Sequence, residues 1–537
     1  MIRDVLIDAV RDALRACGVD TEGVTIGMER PARREHGDWS SNAALAVAKR
    51  AGQNPRELAA ELAARLESSP ARHVESVEVA GPGFVNFHLA PGWLHDVLSE
   101  AVTAGTAGYA RPLAEHPEKV MVEFVSANPT GPIHVGNGWF ASYGDGVARL
   151  LERCGHTVSR EYYVNDTGGQ IRRLGASLLA HAKGEAVPED GYPGQYVADL
   201  AESYDGPLDD VTAAGTWAAG HVLEGIRATM ESVNIHYDEW YSQASIEESA
   251  AVAEVVEELR AKGVIADEDG ALWFESKAFG DPRERRVLRK ANGDYTYLAG
   301  DIAYHRNKFL VRDFDRVINV WGADHHGQVA SLRAGVAALG IDPERLEVRL
   351  GQMISLTSGR MSKRAGNVVD LDDLVADLGP DATRLLSLLT SLDQPVTIDL
   401  DKVRSASRES PVYYVQYAHT RIASIGRVAA ERGVTRQPLA EVDLSLLVHE
   451  RELELLRSLE ELPELVALAC ADRAPHRVAT WVRELADRFH GFYHDCYVLG
   501  DEVPAELTQA RLWLVEAAQV GFKIGLDVLG VSAPESM

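Results

Sequence analysis

The sequence predicts an α/β protein with a parallel sheet at its centre, a smaller α+β domain before it and an α-helical bundle after it. Three observations predict this. Residues 119–125 form an apolar run suited to a buried strand, followed by a Gly/Pro loop, a helix and a second strand, which is the repeating unit of a parallel sheet with helices on its faces. The first 110 or so residues carry helical spacing and then a strand–turn–strand pattern. From about residue 401 onward the apolar spacing is helical almost throughout.

Taken in order, the first helix places Ile2, Val5, Leu6, Ala9, Val10, Ala13, Leu14 and Cys17 on one face and stops at Gly18. A second runs through 42–48. A third follows Asn54-Pro55, where Asn caps and Pro takes the first helical position. Residues 74–89 read as two strands joined by Gly81-Pro82-Gly83. The Ala/Gly/Pro-rich stretch 104–117 reads as a linker. After the strand at 119–125 and the loop 126–136, a helix from about Gly138 buries Phe140, Val147, Leu151 and Cys154 and ends at Gly155. Residues 157–164 and 316–321 are further strands. The stretch from about 170 to 290 is mixed, mostly helical, and reads as an insertion. Leu444, Leu446, Leu447, Leu453, Leu455, Leu456 and Leu459 open the bundle. The expected domains are therefore 1–112, 117–400 with its insertion, and 401–537.

Bulk composition narrows the function classes. Hydrophobic residues make up 46% and charged residues 25%, as in a soluble globular protein. No apolar run approaches the ~20 residues of a membrane span, and the charged N-terminus is unlike a signal peptide, so a cytoplasmic protein without membrane contact is expected. Cys17, Cys154, Cys470 and Cys496 form no C-x-x-C pair and are expected to be reduced and structural. With 81 acids against 54 bases the net charge is −27, so any nucleic-acid contact must be confined to one face and specific in shape.

Two segments carry chemistry. In 128–137, Asn128-Pro129-Thr130-Gly131-Pro132-Ile133-His134-Val135-Gly136-Asn137, a Gly/Pro loop runs from a strand into a helix start. Backbone N–H groups at a helix N-terminus favour an anion. Gly136 permits close approach of a nucleotide, and His134 and Asn137 can donate to phosphate oxygen. By itself the tetrad 134–137 also reads as a loop histidine and a helix cap. In 359–367, Gly359-Arg360-Met361-Ser362-Lys363-Arg364-Ala365-Gly366-Asn367, three cations and a hydroxyl stand between glycines, suited to charge on a leaving pyrophosphate. By itself it also reads as a solvated basic turn.

Together the two segments resemble the "HIGH" and "KMSKS" signatures of class I aminoacyl-tRNA synthetases. The residues around them narrow the resemblance to arginyl-tRNA synthetases: 122–132, with Val122-Glu123-Phe124-Val125-Ser126-Ala127-Asn128; 160–166; 297–305, with Tyr297-Leu298-Ala299-Gly300-Asp301; 320–327, with Asp324-His325-His326; 411–421; and the last eight residues. The N-terminal stretches 36–44 and 80–87 resemble that family's extra domain. The resemblance thus runs nearly from end to end and implies a Rossmann-type catalytic domain. Three positions depart from the pattern: Asn137 where a second His is commoner, Arg360 where Lys is common, and Ser410 where Asn usually precedes the proline.

The resemblance implies an enzyme that activates L-arginine with ATP and Mg²⁺ and transfers it to tRNA(Arg). His134, Asn137, Lys363 and Arg364 are then the catalytic residues. Gly136, Asp324, His326, Met361 and Ser362, with His134, Asn137 and Lys363, hold the nucleotide. Glu123, Ser126, Asn128, His134, Tyr297 and Asp301 surround arginine. For Glu123 and Asp301 the alternative is an ion pair within the protein. Tyr413, Tyr414, Tyr417 and Met537 are candidates to touch tRNA, the tyrosines equally suited to a core. A monomer is expected, and no metal site: His325-His326 and His490/His494/Cys496 each lack a second ligand cluster. Competing readings are a specialised duplicate, for which Asn137 is the only support, and a tRNA-binding paralogue without catalysis.

Overall fold

The computed structural model describes residues 2–352, 354–356, 369–398 and 411–537. Contacts divide the chain into two units: Met1–Gly105 with Ile425–Glu460 and Arg488–Val520, and Thr106–Ser424 with Glu461–Asp487 and Gly521–Met537. The sequence-based domains are cut at single points along the chain; these units are not.

The first unit contains a four-stranded antiparallel sheet of order β1-β2-β4-β3, formed by β1 (Met28–Glu29), β2 (Trp39–Ser41), β3 (Val74–Ala80) and β4 (Phe84–Leu89). Helix α1 (Ile2–Ala16) buries Leu6, Val10, Ala13 and Leu14. Val5, at the margin of the apolar stripe, stays exposed. Helix α2 spans Ala43–Ala51. Helix α3 (Pro55–Ser68) starts as its sequence dictates: Asn54 Oδ1 accepts from the amides of Arg56 (2.9 Å) and Glu57 (3.4 Å), and Pro55 fills the first position. In the β3–β4 turn Gly83 has φ 146°, and a Cβ there would lie 2.9 Å from the Pro55 carbonyl oxygen, so only glycine fits. Helix α4 (Gly92–Gly108) reaches into the expected linker; its backbone breaks at Gly105 (φ 61°, ψ −169°), where the unit ends.

The second unit is built on a five-stranded parallel sheet of order β12-β11-β5-β6-β7. Its strands are β5 (Lys119–Phe124), β6 (Thr157–Val164), β7 (Glu239–Ser242), β11 (Arg316–Gly322) and β12 (Leu346–Gly351). Between β6 and β7 lie α6 (Gly168–Lys183), α7 (Gln195–Ser203) and α8 (Val211–Ser232), which share their own apolar cluster around Leu174, Leu178 and Ala218. The chain then returns to the main sheet as β7, so residues 170–290 are not one insertion. A four-residue edge strand, Glu239-Trp240-Tyr241-Ser242, is too short to show a period. After it come α9 (Gln243–Glu248), α10 (Ala251–Ala261) and a small antiparallel sheet of β8 (Ile265–Glu268), β9 (Ala271–Phe274) and β10 (Arg286–Arg289). Helix α11 (Tyr297–Arg306) and helix α12 (His326–Ala338) flank β11 in sequence.

Helix α5 (Val135–Arg153) begins three residues before the predicted start, because Val135, Gly136 and Asn137 are already helical. Glycines within it serve packing. A Cβ at Gly138 would lie 2.6 Å from Leu371 Cδ1, and one at Gly144 would lie 2.2 Å from the Phe124 ring, so α5 lies directly against β5. Helix α13 (Leu371–Leu378) and helix α14 (Pro380–Ser387) follow, then α15 (Pro411–Glu431), α16 (Glu450–Asp472), α17 (Pro475–Asp495) and α18 (Ala505–Leu529).

One buried charge cluster ties several of these elements together within the unit. Arg384 of α14 is fully buried. It pairs with Asp145 of α5 and donates to the carbonyls of Leu529 (2.9 Å), Val233 (2.9 Å) and Asn234 (3.0 Å). Asp145 also accepts from Arg149 (2.7 Å) and Arg160 (2.9 Å), and Arg160 grips Glu152 with both terminal nitrogens. Burial alone would raise the Asp145 pKa; the three arginines, Arg384 foremost, instead hold it down to about 2. The Asp145 contribution to stability is therefore full above its ordinary value of 3.8 and lost as pH falls toward about 2. Replacing Arg384 by Met strands three carbonyls and removes one partner of a buried pair, and should cost about 3 kcal/mol, read as a shift in the denaturant midpoint.

Candidate active site

The order β12-β11-β5-β6-β7 reverses direction between β5 and β11. Open parallel sheets bind ligands in the crevice beyond the strand ends at such a point. On the β5 side the chain leaves the sheet by an unusual route. Val125 (φ 72°) and Ser126 (φ 44°) both take left-handed backbone, and the Ser126 amide bonds the Phe124 carbonyl across Val125 (3.1 Å), a γ-turn of the rare, strained kind. Three tyrosine hydroxyls hold the exit: Tyr237 on Phe124 O (3.2 Å), Tyr162 on Ala127 O (2.9 Å) and Tyr196 on Thr130 O (2.5 Å). The Ser126 hydroxyl accepts from the Tyr163 amide (3.1 Å) and reaches Glu123 Oε1 (3.4 Å); Asn128 donates to Gln170 (2.8 Å).

The loop ends at α5. His134 is its N-cap, in extended backbone, with the Asn137 amide on the His134 carbonyl (2.9 Å). The surrounding protein lowers the His134 pKa by desolvation, so the imidazole is neutral near pH 7. Its partner segment comes from far along the chain. The Val135 amide bonds Val369 O (2.9 Å), the Leu371 amide bonds Ile133 O (2.7 Å), and His134 and Asp370 form an antiparallel bridge. The second signature, with Met361, Ser362, Lys363 and Arg364, lies outside the described residues; the chain that leaves it at Val369 is bonded to the first signature. Across the crevice, β11 runs through Gly322 into a short 3-10 turn, Ala323–His325, and α12 opens at His326. Asp324 and His326 are both exposed there.

Beside the crevice a cavity of about 260 Å³ is lined by Arg286, Thr296, Tyr297, Asp301, Gln328 and Ser331 among others. Tyr297 and Asp301 sit one helical turn apart on α11, and Tyr297 is 86% exposed. Among the described residues Asp301 has no cation partner. Burial, then the nearby Glu123, push its pKa up to about 7, against a smaller opposing effect of Lys308. Glu123 is different: it is buried and ion-paired with Lys308, itself fully buried on the face of the Tyr304 ring at 4.0 Å. The two acids thus divide between the alternatives set out above, Glu123 in an internal ion pair and Asp301 open to the cavity. Sequence reading missed Lys308, because a lysine in a charged stretch reads as surface. It also missed the Glu161–Tyr304 bond, the Arg312–Glu161 pair (2.6 Å) and the tyrosines on the loop.

The candidate tRNA contacts lie elsewhere in the same unit. Tyr413 and Tyr417 stack at 5.6 Å, Arg421 lies over Tyr417 at 4.3 Å, and Tyr414 is exposed with its hydroxyl on Asp487 (3.1 Å). None of the three is core. The C-terminal tail is anchored by His419 on Pro534 O (2.8 Å) and by Ser532 on Asp381, leaving Met537 58% exposed.

A parallel sheet with a switch-point crevice and a helix N-terminus beside it is the nucleotide-binding arrangement of a doubly wound α/β domain. The family model for the "tRNA synthetases class I (R), catalytic domain" matches residues 99–205 and 221–423. Models for the "Arginyl tRNA synthetase N terminal domain" and the "DALR anticodon binding domain" match 4–89 and 415–537. The chain is 43% identical to the arginine–tRNA ligase of Carboxydothermus hydrogenoformans, over 98% of this chain and 97% of that one, and 44% identical to that of Moorella thermoacetica, over 95% and 93%. The Thermus thermophilus arginyl-tRNA synthetase structure has the same fold (TM-score 0.78, 24% identity, 100% of both chains). The chain belongs to the arginyl-tRNA synthetase family.

A proton NMR titration of the His134 imidazole should give a midpoint below the ordinary histidine value of 6.5; a midpoint at or above it would show that desolvation does not govern the ring.

Proposed function

We propose that the protein joins L-arginine to tRNA(Arg) in two steps, driven by magnesium-bound ATP. The observation that carries this reading is the backbone pairing of 133–135 with 369–371, which sets the exit of the second signature beside the helix N-terminus of the first. Two distant cationic and donor-rich segments then serve one triphosphate, and the cavity lined by Tyr297 and Asp301 is assigned to the arginine side chain.

In the first step the arginine carboxylate, already ionised, attacks the α-phosphorus of ATP. A C–O–P bond forms, the bond to the bridging oxygen breaks, and pyrophosphate leaves. No general base is required; the protein's task is alignment and charge stabilisation. His134, Asn137 and the amides opening α5 donate to phosphate oxygen, Gly136 allows the close approach, and Asp324 and His326 flank the nucleotide from the β11 side. Lys363, with Arg364, Met361 and Ser362, is assigned to the departing pyrophosphate. A neutral His134 donates a hydrogen bond rather than a charge, so Asn137 in place of a second histidine preserves the kind of contact made. Tyr297 and Asp301 take the guanidinium, which suits a carboxylate geometrically, while Ser126, Asn128 and the Glu123 region frame the α-carbon end. In the second step a hydroxyl of the terminal ribose, expected to be the 2′, attacks the arginyl carbonyl and AMP leaves. Tyr413, Tyr414, Tyr417 and Met537 are assigned to tRNA. A monomer acting in the cytoplasm completes the reading.

Purified chain with tRNA, ATP and arginine should form arginyl-tRNA; intact folding without charging would refute the assignment and favour a non-catalytic paralogue. Lys363→Ala should lower the activation rate at least about a hundredfold with tRNA affinity nearly unchanged; equal activation in mutant and parent would remove Lys363 from the chemistry. Because guanidinium needs the ionised Asp301, kcat/KM for arginine should fall as pH drops below about 7, and Asp301→Asn should abolish that limb while raising the arginine KM at least about tenfold.

A further inference from the structure

Lys308 takes no part in the chemistry above, yet it is among the most deeply buried charges in the molecule. It lies in a single π-helical turn, Asn307–Val311, that continues α11 directly from the helix carrying Tyr297 and Asp301. Such turns cluster at functional sites. Its ammonium has three partners: the Glu123 carboxylate, the face of Tyr304 at 4.0 Å, and Asn319 Oδ1 at 3.4 Å. Asn319 passes the contact on. Its amide donates to His305 Nε2 (2.8 Å), and His305 Nδ1 donates to the Asp301 carbonyl (2.8 Å). Burial and then Lys308 hold His305 neutral, which fits a ring that donates on one side and accepts on the other. One lysine is thereby joined to Glu123 by charge and, through Asn319 and His305, to the backbone carbonyl of Asp301.

We propose that Lys308 is a positioning residue of the arginine pocket: it neutralises Glu123, so that Asp301 alone faces the substrate guanidinium. The inference rests on the arginine reading of the pocket. Glu123 and Lys308 sum to zero, leaving one negative charge for one positive side chain. Without Lys308 the buried Glu123 and the half-buried Asp301 would repel each other as anions, so Asp301 would ionise only at higher pH. Of the other groups around them, Arg286 on the cavity wall is already matched by the buried Asp281 at 3.4 Å. Glu161 of β6 is already held by Arg312 and Tyr304. Tyr163 is neutral, its pKa raised by burial and then by Asp301, Glu123, Glu247 and Asp166. His305 is neutral.

The test is the pH profile of kcat/KM for arginine in tRNA charging by the full chain. In Lys308→Met the acid-side fall should move to higher pH, by about one unit or more; in Glu123→Gln it should move to lower pH; in Lys308→Arg it should stay near the parent position. A structural role alone would lower activity or stability without moving the profile. Profiles of Lys308→Met and Glu123→Gln that superimpose on the parent would overturn the proposal. Should Lys308→Met fail to fold, Glu123→Gln decides: an unshifted profile overturns the proposal, and a downward shift supports it. A parent chain that charges no tRNA with arginine would refute the arginine reading instead. The Asp301 carboxyl titration, followed by carbon NMR, then still decides: it must rise in Lys308→Met and fall in Glu123→Gln.

Discussion

The crevice depends first on how closely α5 lies against β5. Gly144 has no side chain to keep the helix off the Phe124 ring, and Gly138 has none to keep Leu371 away. Close packing of this kind fixes the helix axis along the strand, so that its free amides end beside the β5 exit rather than over the sheet. The same closeness brings Leu371 into hydrogen-bond contact with Ile133. A helix displaced by the width of one methyl group would lose the backbone pairing on which the alignment of the two signatures rests.

Charge in the second unit is arranged by the same economy of partners. Asp145, Glu161 and Glu123 are all buried acids, and each is answered by arginine or lysine at short range. Asp301 is only half-buried and has no cation partner among the described residues, while Glu123 is near enough to raise its pKa. A carboxyl left in that condition is unstable as an anion until a cation arrives. The acids that are paired are also the buried ones, whereas Asp301 is partly exposed and lines the cavity.

Much of this was legible from residue patterns. The strands at 119–124 and 157–164, the Asn54-Pro55 helix start and the hairpin at Gly81–Gly83 follow local rules, and local rules predicted them. The signatures were legible because loop, glycine and cation stand in sequence order. Pairings between distant segments were not. Nothing in Arg384 or Lys308 as letters says that each lies fully buried, since burial of a charge is set by partners more than a hundred residues away, Asp145 and Glu123. Strand β7 escaped notice because four residues carry too little pattern, and α5 was placed late because Gly136, read as the end of a loop, is helical. The positive φ at Val125 is likewise invisible in sequence, since a β-branched residue is the last expected there.

The Asp145 cluster has a bearing on how the protein can drift over evolutionary time. A two-residue ion pair can be inverted by exchanging its members, passing through one weakened intermediate. Here one acid serves Arg384, Arg149 and Arg160 together. Inverting Asp145 with any single arginine would leave the other two facing a cation, so no pairwise exchange restores balance. The position is therefore expected to stay fixed as a group in related sequences, and a search for correlated two-site substitutions would pass over it, although it binds α5, which opens at the first signature, to α14, the second helix after the other.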